Sequence, residues 1–590
     1  MKKFTRNKAA LSDILKIGNS KTTNIRITIV IIASIIVTIL SPLLSYITKL
    51  IFDEFAVAYN SSISNEKEII VLLIVFAAIS LIIVFLNKLC NIENEYIHHD
   101  TSCKINNHIF EKIKRIRYEF FEEPKTYDII SRVSKNCPKV YSLLNSIIDL
   151  VMAVISTITF ALLLSSIKWY FVIVILVPNS LYVYAEMKNT LERYYLEINQ
   201  TNDYRKLDYL HDLFRDKKTN KEIRAYGISS VLLNRYSNLR EKLYKEGIKL
   251  LFKQSLLSFF LLFISKIGLF ICLYLTCVAF VNGENTVGDV TLLLTAGTAF
   301  STSFYKIFSN INLTNIQIVY LDDWECFNSF QEETKDNVKI NGLVSLEFRN
   351  VSFKYPSSKK FALESINFKI SSGQTVALVG KNGSGKSTFL KILLGGLYPT
   401  SGCVLVNNKN INNVLKQLRE KTAYIPQEFA RYNLTLAENI KLANSSIPLE
   451  QMPLQFLNFI DKLPYGYNTY LGNIYNDGIT LSGGEWQRIS IERALIKENV
   501  ELYIMDEPAA SLDPIMESEL YKEFLNTLKG KTKIITSHRL GACSIADCIY
   551  VFENGRIIES GTHAELMKNK NTYYNMYQAQ SHLYERDNGE

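Results

Sequence analysis

Apolar positions crowd into the first half of the chain. Six nearly unbroken apolar runs, 27–47, 69–89, 143–165, 169–187, 256–280 and 287–307, each approach the length of a membrane-crossing helix. The fourth carries Pro178 and is the weakest taken alone. Beyond residue 344 the pattern changes to short β-type runs, Leu346-Glu347-Phe348 and Val351-Ser352-Phe353, and then to strands alternating with helices. That alternation predicts an α/β domain. The expected organisation is a basic N-terminal segment (1–24), an all-α polytopic membrane domain with six transmembrane helices and cytoplasmic extensions (25–320), a polar linker (321–343) and an α/β domain (344–590).

Loop charge gives the expected orientation. Between the first two runs, Asp53, Glu54, Glu66 and Glu68 outnumber Lys67, so this loop reads as external. The turns after the third and fifth runs, at Lys168 and at Asn282-Gly283-Glu284-Asn285, are short and read the same way. The long segments 90–142 and 188–255 hold most of the basic residues and are expected on the cytoplasmic side, with both termini. Near their turning points lie Phe120-Phe121-Glu122-Glu123-Pro124 and Glu222-Ile223-Arg224-Ala225-Tyr226-Gly227, which suit short helices touching a cytoplasmic domain. Asp149, Lys266 and Lys306 are charges within the spans. Intramembrane charges are functional candidates, and Lys266 lies deepest.

Composition adds a few exclusions. A net charge of +9 over 590 residues sits naturally on inner loops of a membrane protein and needs no nucleic-acid partner. The nine cysteines, an odd number, form no C-x-x-C pair, which argues against a disulfide framework and a zinc site. The first apolar run is too long for a signal peptide and lacks a small-residue cleavage site, so it is expected to stay.

Chemistry concentrates at Gly380-Lys381-Asn382-Gly383-Ser384-Gly385-Lys386-Ser387-Thr388. The β-type run 375–379 precedes it and the helix-like run 389–394 follows. Strand, glycine-rich turn and helix start are the context of a phosphate loop. Glycines let backbone N–H groups curl round a phosphate, and the helix N-terminus favours its charge. Lys386 can reach the terminal phosphates and Ser387 can ligate Mg²⁺.

Further stretches follow in a consistent order. Tyr355 can offer an aromatic face to adenine. Gln427 follows the apolar run 422–425, and Leu481-Ser482-Gly483-Gly484-Glu485 opens a helix whose N-terminus is a second anion site. The apolar run 502–505 ends in Asp506-Glu507, and His538 follows the run 533–536. Together these resemble an ATP-binding cassette, and the whole chain resembles an ABC exporter half-transporter. The resemblance implies ATP and Mg²⁺ as cofactors. It places Lys386 and the loop amides on the phosphates, Ser387 and Gln427 on Mg²⁺, and Asp506 behind them. Glu507 becomes the general base, His538 a contact to the γ-phosphate, and 510–513 a loop passing between two sites. Ser482, Gly483, Gly484 and Glu485 would close over ATP held by a second half-transporter. A homodimer is expected, with a heterodimer left open.

Departures from the family pattern narrow the cargo. Glu485 stands where glutamine is usual. Residues 471–480 lack the Thr-Glu-Val-Gly-Glu-like stretch of multidrug and lipid exporters. The residues that stand there instead, with Trp486 and Phe-Glu-Glu-Pro, resemble exporters of lantibiotic and related bacterial peptides. The expected function is ATP-driven export of a peptide across a bacterial plasma membrane. A multidrug or lipid exporter is the alternative, and a soluble cassette ATPase acting on nucleic acid is disfavoured by the apolar runs. Only residues 1–26 precede the first span, so any leader on a peptide cargo is expected to be cleaved by another protein.

Overall fold

The computed structural model describes all residues except 1, 61–65, 138–140, 335, 357, 446–447, 449–456, 476, 508–525, 538–539 and 586–590. The chain divides into two units, 1–114 with 125–330 and 115–124 with 331–590.

The first unit is helical: α1 (Lys2–Gly18), α2 (Lys21–Asn60), α3 (Glu66–Ile113), α4 (Pro124–Asn136), α5 (Tyr141–Ser165), α6 (Tyr170–Arg215), α7 (Lys217–Ala225), α8 (Ser229–Val281) and α9 (Val287–Asn328). Among the described residues α2, α3, α5, α6 and α8 are long and apolar enough to cross a membrane. The sixth run is the first part of α9, where Thr291, Thr295, Thr298, Ser301, Thr302 and Ser303 dilute the apolar residues. Its hydroxyls turn back on the helix, as in Thr295 to the Thr291 carbonyl at 3.1 Å and Ser301 to that of Gly297 at 3.0 Å. Leu292, Leu293, Ala296 and Phe300 bury its other face among α5, α6 and α8.

Where two helices crowd, small residues make room. A Cβ on Gly268 of α8 would sit 2.7 Å from the Val174 carbonyl of α6. That carbonyl lies one turn before Pro178, which has no N–H to give it. Next to the proline, Asn179 donates to the Ile175 carbonyl at 3.0 Å and to Ser301 Oγ at 2.9 Å, and accepts from Ser265. Three helices are thus tied by one buried amide. At the loop-proximal ends, Lys49 of α2 pairs with Asp289 of α9 at 2.6 Å, and Asp53 accepts the Gly288 N–H at 2.7 Å. Asp149, Lys266 and Lys306 are exposed on the surface of the unit.

Helix α9 runs well past its apolar part. Leu321, Trp324 and Phe327, spaced one turn apart, are fully buried, so the first residues of the expected linker are helix.

The second unit carries two sheets. A four-stranded antiparallel sheet has the order β2-β1-β4-β5, from β1 (Ser345–Phe353), β2 (Leu363–Ser371), β4 (Ser401–Val406) and β5 (Lys409–Asn410). A six-stranded sheet has the order β10-β9-β3-β8-β7-β6, from β3 (Thr375–Gly380), β6 (Thr422–Ile425), β7 (Leu502–Asp506), β8 (Thr532–Thr536), β9 (Cys548–Glu553) and β10 (Arg556–Gly561). All its neighbours are parallel except β9 and β10. Strands β3, β7 and β8 are buried along their whole length, which fits the apolar stretches 376–379, 502–505 and 534–535, and the buried Lys533 of β8 donates to the Leu528 carbonyl at 2.9 Å. The helices are α10 (Lys386–Leu393), α11 (Leu415–Glu420), α12 (Leu436–Lys441), α13 (Gly483–Leu495), α14 (Leu540–Cys543), α15 (His563–Asn569) and α16 (Thr572–Glu585).

Residues 115–124, between α3 and α4, belong to this second unit. Ile116 bridges Glu332, the Arg117 guanidinium lies 4.5 Å from the Tyr398 ring centre, and Glu122 pairs with Lys391 of α10 at 2.7 Å. The Phe-Glu-Glu-Pro turning point therefore packs on the helix that follows the phosphate loop.

Candidate active site

A parallel sheet delivers functional groups at the carboxyl ends of its strands, where the chain must turn and backbone groups are free to bind. Four strands do so here. Strand β3 ends at Gly380 and opens the glycine-rich loop; β6 ends two residues before Gln427; β7 ends at Asp506, next to Glu507; β8 ends two residues before His538.

The loop has the backbone its glycines allow. Gly380, Gly383 and Gly385 have φ of 151°, 76° and 111°, all in the region glycine favours. No atom lies within 4 Å of a Cβ built on Gly383, whereas one on Gly380 would meet the Phe552 carbonyl at 2.3 Å. Gly380→Ala is therefore expected to push β3 from β9. Strain and crowding, each about 1–3 kcal/mol, should lower the thermal unfolding midpoint and abolish nucleotide binding, read by scanning fluorimetry and a fluorescent nucleotide.

Lys386 opens α10 and is buried, with Nζ donating to the carbonyls of Gly380 at 2.7 Å and Lys381 at 3.2 Å. Burial holds its ammonium pKa below the ordinary value, and the charges of Glu507 and Asp506 pull it back up. Ser384 Oγ, also buried, has no hydrogen-bond partner among the described residues. An unpartnered hydroxyl, a buried ammonium and an open concave loop fit a phosphate chain.

A cavity of about 810 Å³ lies over this loop. Of the expected residues it is lined by Tyr355, Asn382, Gly383, Ser384, Gly385, Lys386, Ser387, Thr388, Gln427 and Glu507. Gly380 and Lys381 do not line it; their carbonyls accept from Lys386 Nζ. Tyr355 packs edge-on against Phe353 at 4.9 Å, its hydroxyl 3.3 Å from Thr388 Oγ1. Gln427 Nε2 donates to Glu507 Oε2 at 2.8 Å. Glu507 has φ of 47°, a left-handed conformation rare for a non-glycine residue and common where function demands it. Its backbone N–H donates to Thr536 Oγ1 at 3.1 Å. Asp506 lies outside the lining, buried beneath it, with Oδ1 accepting from Thr536 at 2.6 Å and Oδ2 from Tyr424 at 3.4 Å.

Within one chain, Ser482, Gly483, Gly484 and Glu485 do not line this cavity. Ser482 caps α13, and its Oγ accepts the Glu485 N–H at 3.3 Å while the Glu485 carboxylate accepts the Ser482 N–H at 2.8 Å. The S-x-x-E spacing is a reciprocal cap, which explains glutamate at a position where glutamine is usual. His538 and 510–513 lie outside the described residues. Sequence reading missed Lys360, Phe361, Ala362, Asn554 and Gly555, which also line the cavity. The Asn-Gly pair between β9 and β10 was legible as a hairpin turn, but not as part of a site.

The comparisons agree with this geometry. The ABC transporter transmembrane region matches residues 27–200 and 218–304, and the ABC transporter family matches 363–510. The subtilin transport ATP-binding protein SpaT of Bacillus subtilis is 29% identical over 552 residues, covering 89% of this chain and 88% of that protein. The nisin transport ATP-binding protein NisT of Lactococcus lactis subsp. lactis is 25% identical, covering 89% of each. An ATP-dependent lipid A-core flippase of Wigglesworthia glossinidia brevipalpis is 27% identical, covering 81% and 83%. A solved bacterial Atm1-family ABC exporter with ATP bound has the same fold, with a TM-score of 0.80 at 20% identity over 95% of this chain and 99% of that one. Helices able to span a bilayer, joined in one polypeptide to a domain that binds and hydrolyses ATP, make this chain a multi-pass membrane protein of the ABC transporter family, built as an exporter.

Proposed function

We propose that the chain exports a peptide from a bacterial cytoplasm, working as a dimer of two such chains. The observation carrying this reading is the near full-length similarity to transport proteins for subtilin and nisin. The flippase similarity, only slightly shorter, favours a lipid as the second reading.

ATP is held by Lys386 and the loop amides, with Tyr355 beside the base. Magnesium neutralises phosphate charge, and Ser387 and Gln427 would hold it with Asp506 behind them. Glu507 takes a proton from the attacking water, which Gln427 helps to orient through their shared hydrogen bond. His538 contacts the γ-phosphate. Ser482, Gly483 and Gly484 close over the γ-phosphate of the opposite chain, the N-terminus of α13 adding its partial positive charge. This supports a dimer, since the cavity of one chain lacks them. The long segments 90–142 and 188–255 lie in the cytoplasm with both termini, and ATP-driven closure biases the membrane helices between two arrangements.

The test uses the full chain in lipid vesicles. An unmodified linear peptide is expected to raise ATP hydrolysis several-fold and to accumulate inside inverted vesicles, whereas lipid A does neither. Stimulation by lipid A alone would transfer the assignment to lipid.

A further inference from the structure

The geometry points to a binding site for an alkylammonium group at the inner end of the membrane helices, centred on Glu186. It rests on the reading of this region as an export path and names what one part of that path recognises.

A cavity of about 150 Å³ lies between α6 and α9, lined by Val183, Glu186, Met187 and Thr190 on one side and by residues including Tyr305 and Ser309 on the other. Each set follows helical spacing, so one face of each helix looks into it. Tyr182, one turn before Glu186, has its ring centre 5.9 Å from that of Tyr305. Counting from Tyr170, Glu186 lies roughly 24 Å along α6, and Tyr305 lies roughly 27 Å along α9 from Val287. Both depths fall just inside the far boundary of a hydrocarbon core about 30 Å thick.

A carboxylate at this depth is costly unless compensated. Among the described residues Glu186 is in no ion pair, and its carboxylate accepts one hydrogen bond, from Ser258 Oγ, which also accepts from Asn189 at 3.0 Å. The side chain is thereby held in place without being neutralised. A half-buried anion sharing a cavity with the Tyr305 ring selects a cation, because a negative charge and an aromatic ring both attract one. The volume admits a small group such as a lysine ammonium with its methylenes. A cationic peptide side chain and a free organic cation share this chemistry.

The experiment places a cysteine at the cavity by Ser309→Cys in the full chain in vesicles. Labelling of that peptide by a trimethylammonium methanethiosulfonate and by neutral methyl methanethiosulfonate is followed by mass spectrometry. With Glu186 present, the cationic-to-neutral rate ratio is expected to be about tenfold higher than in Glu186→Gln, from one nearby charge in a partly shielded site. Glu186→Asp should keep most of that preference, which also covers the case of a poorly folding Gln variant. Equal ratios in the Glu186 and Gln backgrounds overturn the site.

A second arm compares a tri-lysine peptide, its lysine-acetylated form and tetraethylammonium as stimulators of ATP hydrolysis. A higher half-maximal concentration in Glu186→Gln for the tri-lysine peptide alone assigns the site to peptide side chains; the same change for tetraethylammonium alone assigns it to free cations. If neither peptide stimulates while the labelling preference stands, the peptide reading fails and the site survives. Equal stimulation by both peptides with no labelling preference removes the site and leaves peptide export intact.

Discussion

Glu507→Gln is expected to lower ATP hydrolysis by roughly 10²–10⁴-fold, the usual worth of a positioned general base, while the protein still retains ATP. Glutamine keeps the size of the side chain and can still meet Gln427, whose Nε2 lies 2.8 Å from Glu507 Oε2, but it cannot take a proton from water. The left-handed backbone at Glu507, φ 47°, is held by the sheet and not by the carboxylate, so the substitution should leave the fold intact. Phosphate release from the purified protein in lipid gives the rate, and bound nucleotide after rapid desalting gives retention. Normal turnover in this variant would place the base elsewhere.

Lys386→Ala should be nearly as severe, for a different reason. In the proposed role the ammonium is a preorganised charge for the phosphate chain, and removing one such group costs roughly 10²–10³ in rate. Unlike Glu507→Gln, this variant should also bind ATP weakly, because charge-assisted hydrogen bonds of about 1.5–3 kcal/mol are lost before chemistry begins. Titration with a fluorescent ATP analogue separates the two variants. Wild-type affinity in Lys386→Ala would remove the lysine from the phosphates.

The sequence was most transparent where a single physical constraint acts alone. Hydrocarbon demands long apolar helices, and a phosphate loop demands glycines beside a lysine; both features stood out without reference to any other part of the chain. Sites assembled from distant segments were opaque. Lys360 and Asn554 reach the nucleotide cavity only because β2 and the β9–β10 turn meet there. Phe120–Pro124 was legible as a turning point suited to touching a cytoplasmic domain, but its partner was not, and only three-dimensional packing reveals Glu122 against Lys391. At the end of α9, Leu321, Trp324 and Phe327 lie among polar residues, and the helical spacing of these three was hidden by the charges between them. The sixth apolar run was legible as a helix, yet its threonines and serines set it apart from the lipid-facing helices.

The pairing of Lys49 with Asp289, reinforced by Asp53 on the Gly288 amide, has a mechanical corollary. A half-buried ion pair and a charged acceptor on a helix's first amides resist separation far more than apolar side chains sliding past one another. Helices α2 and α9 are therefore expected to move together at this end, which favours a gap that admits or releases cargo there along a different seam of the bundle.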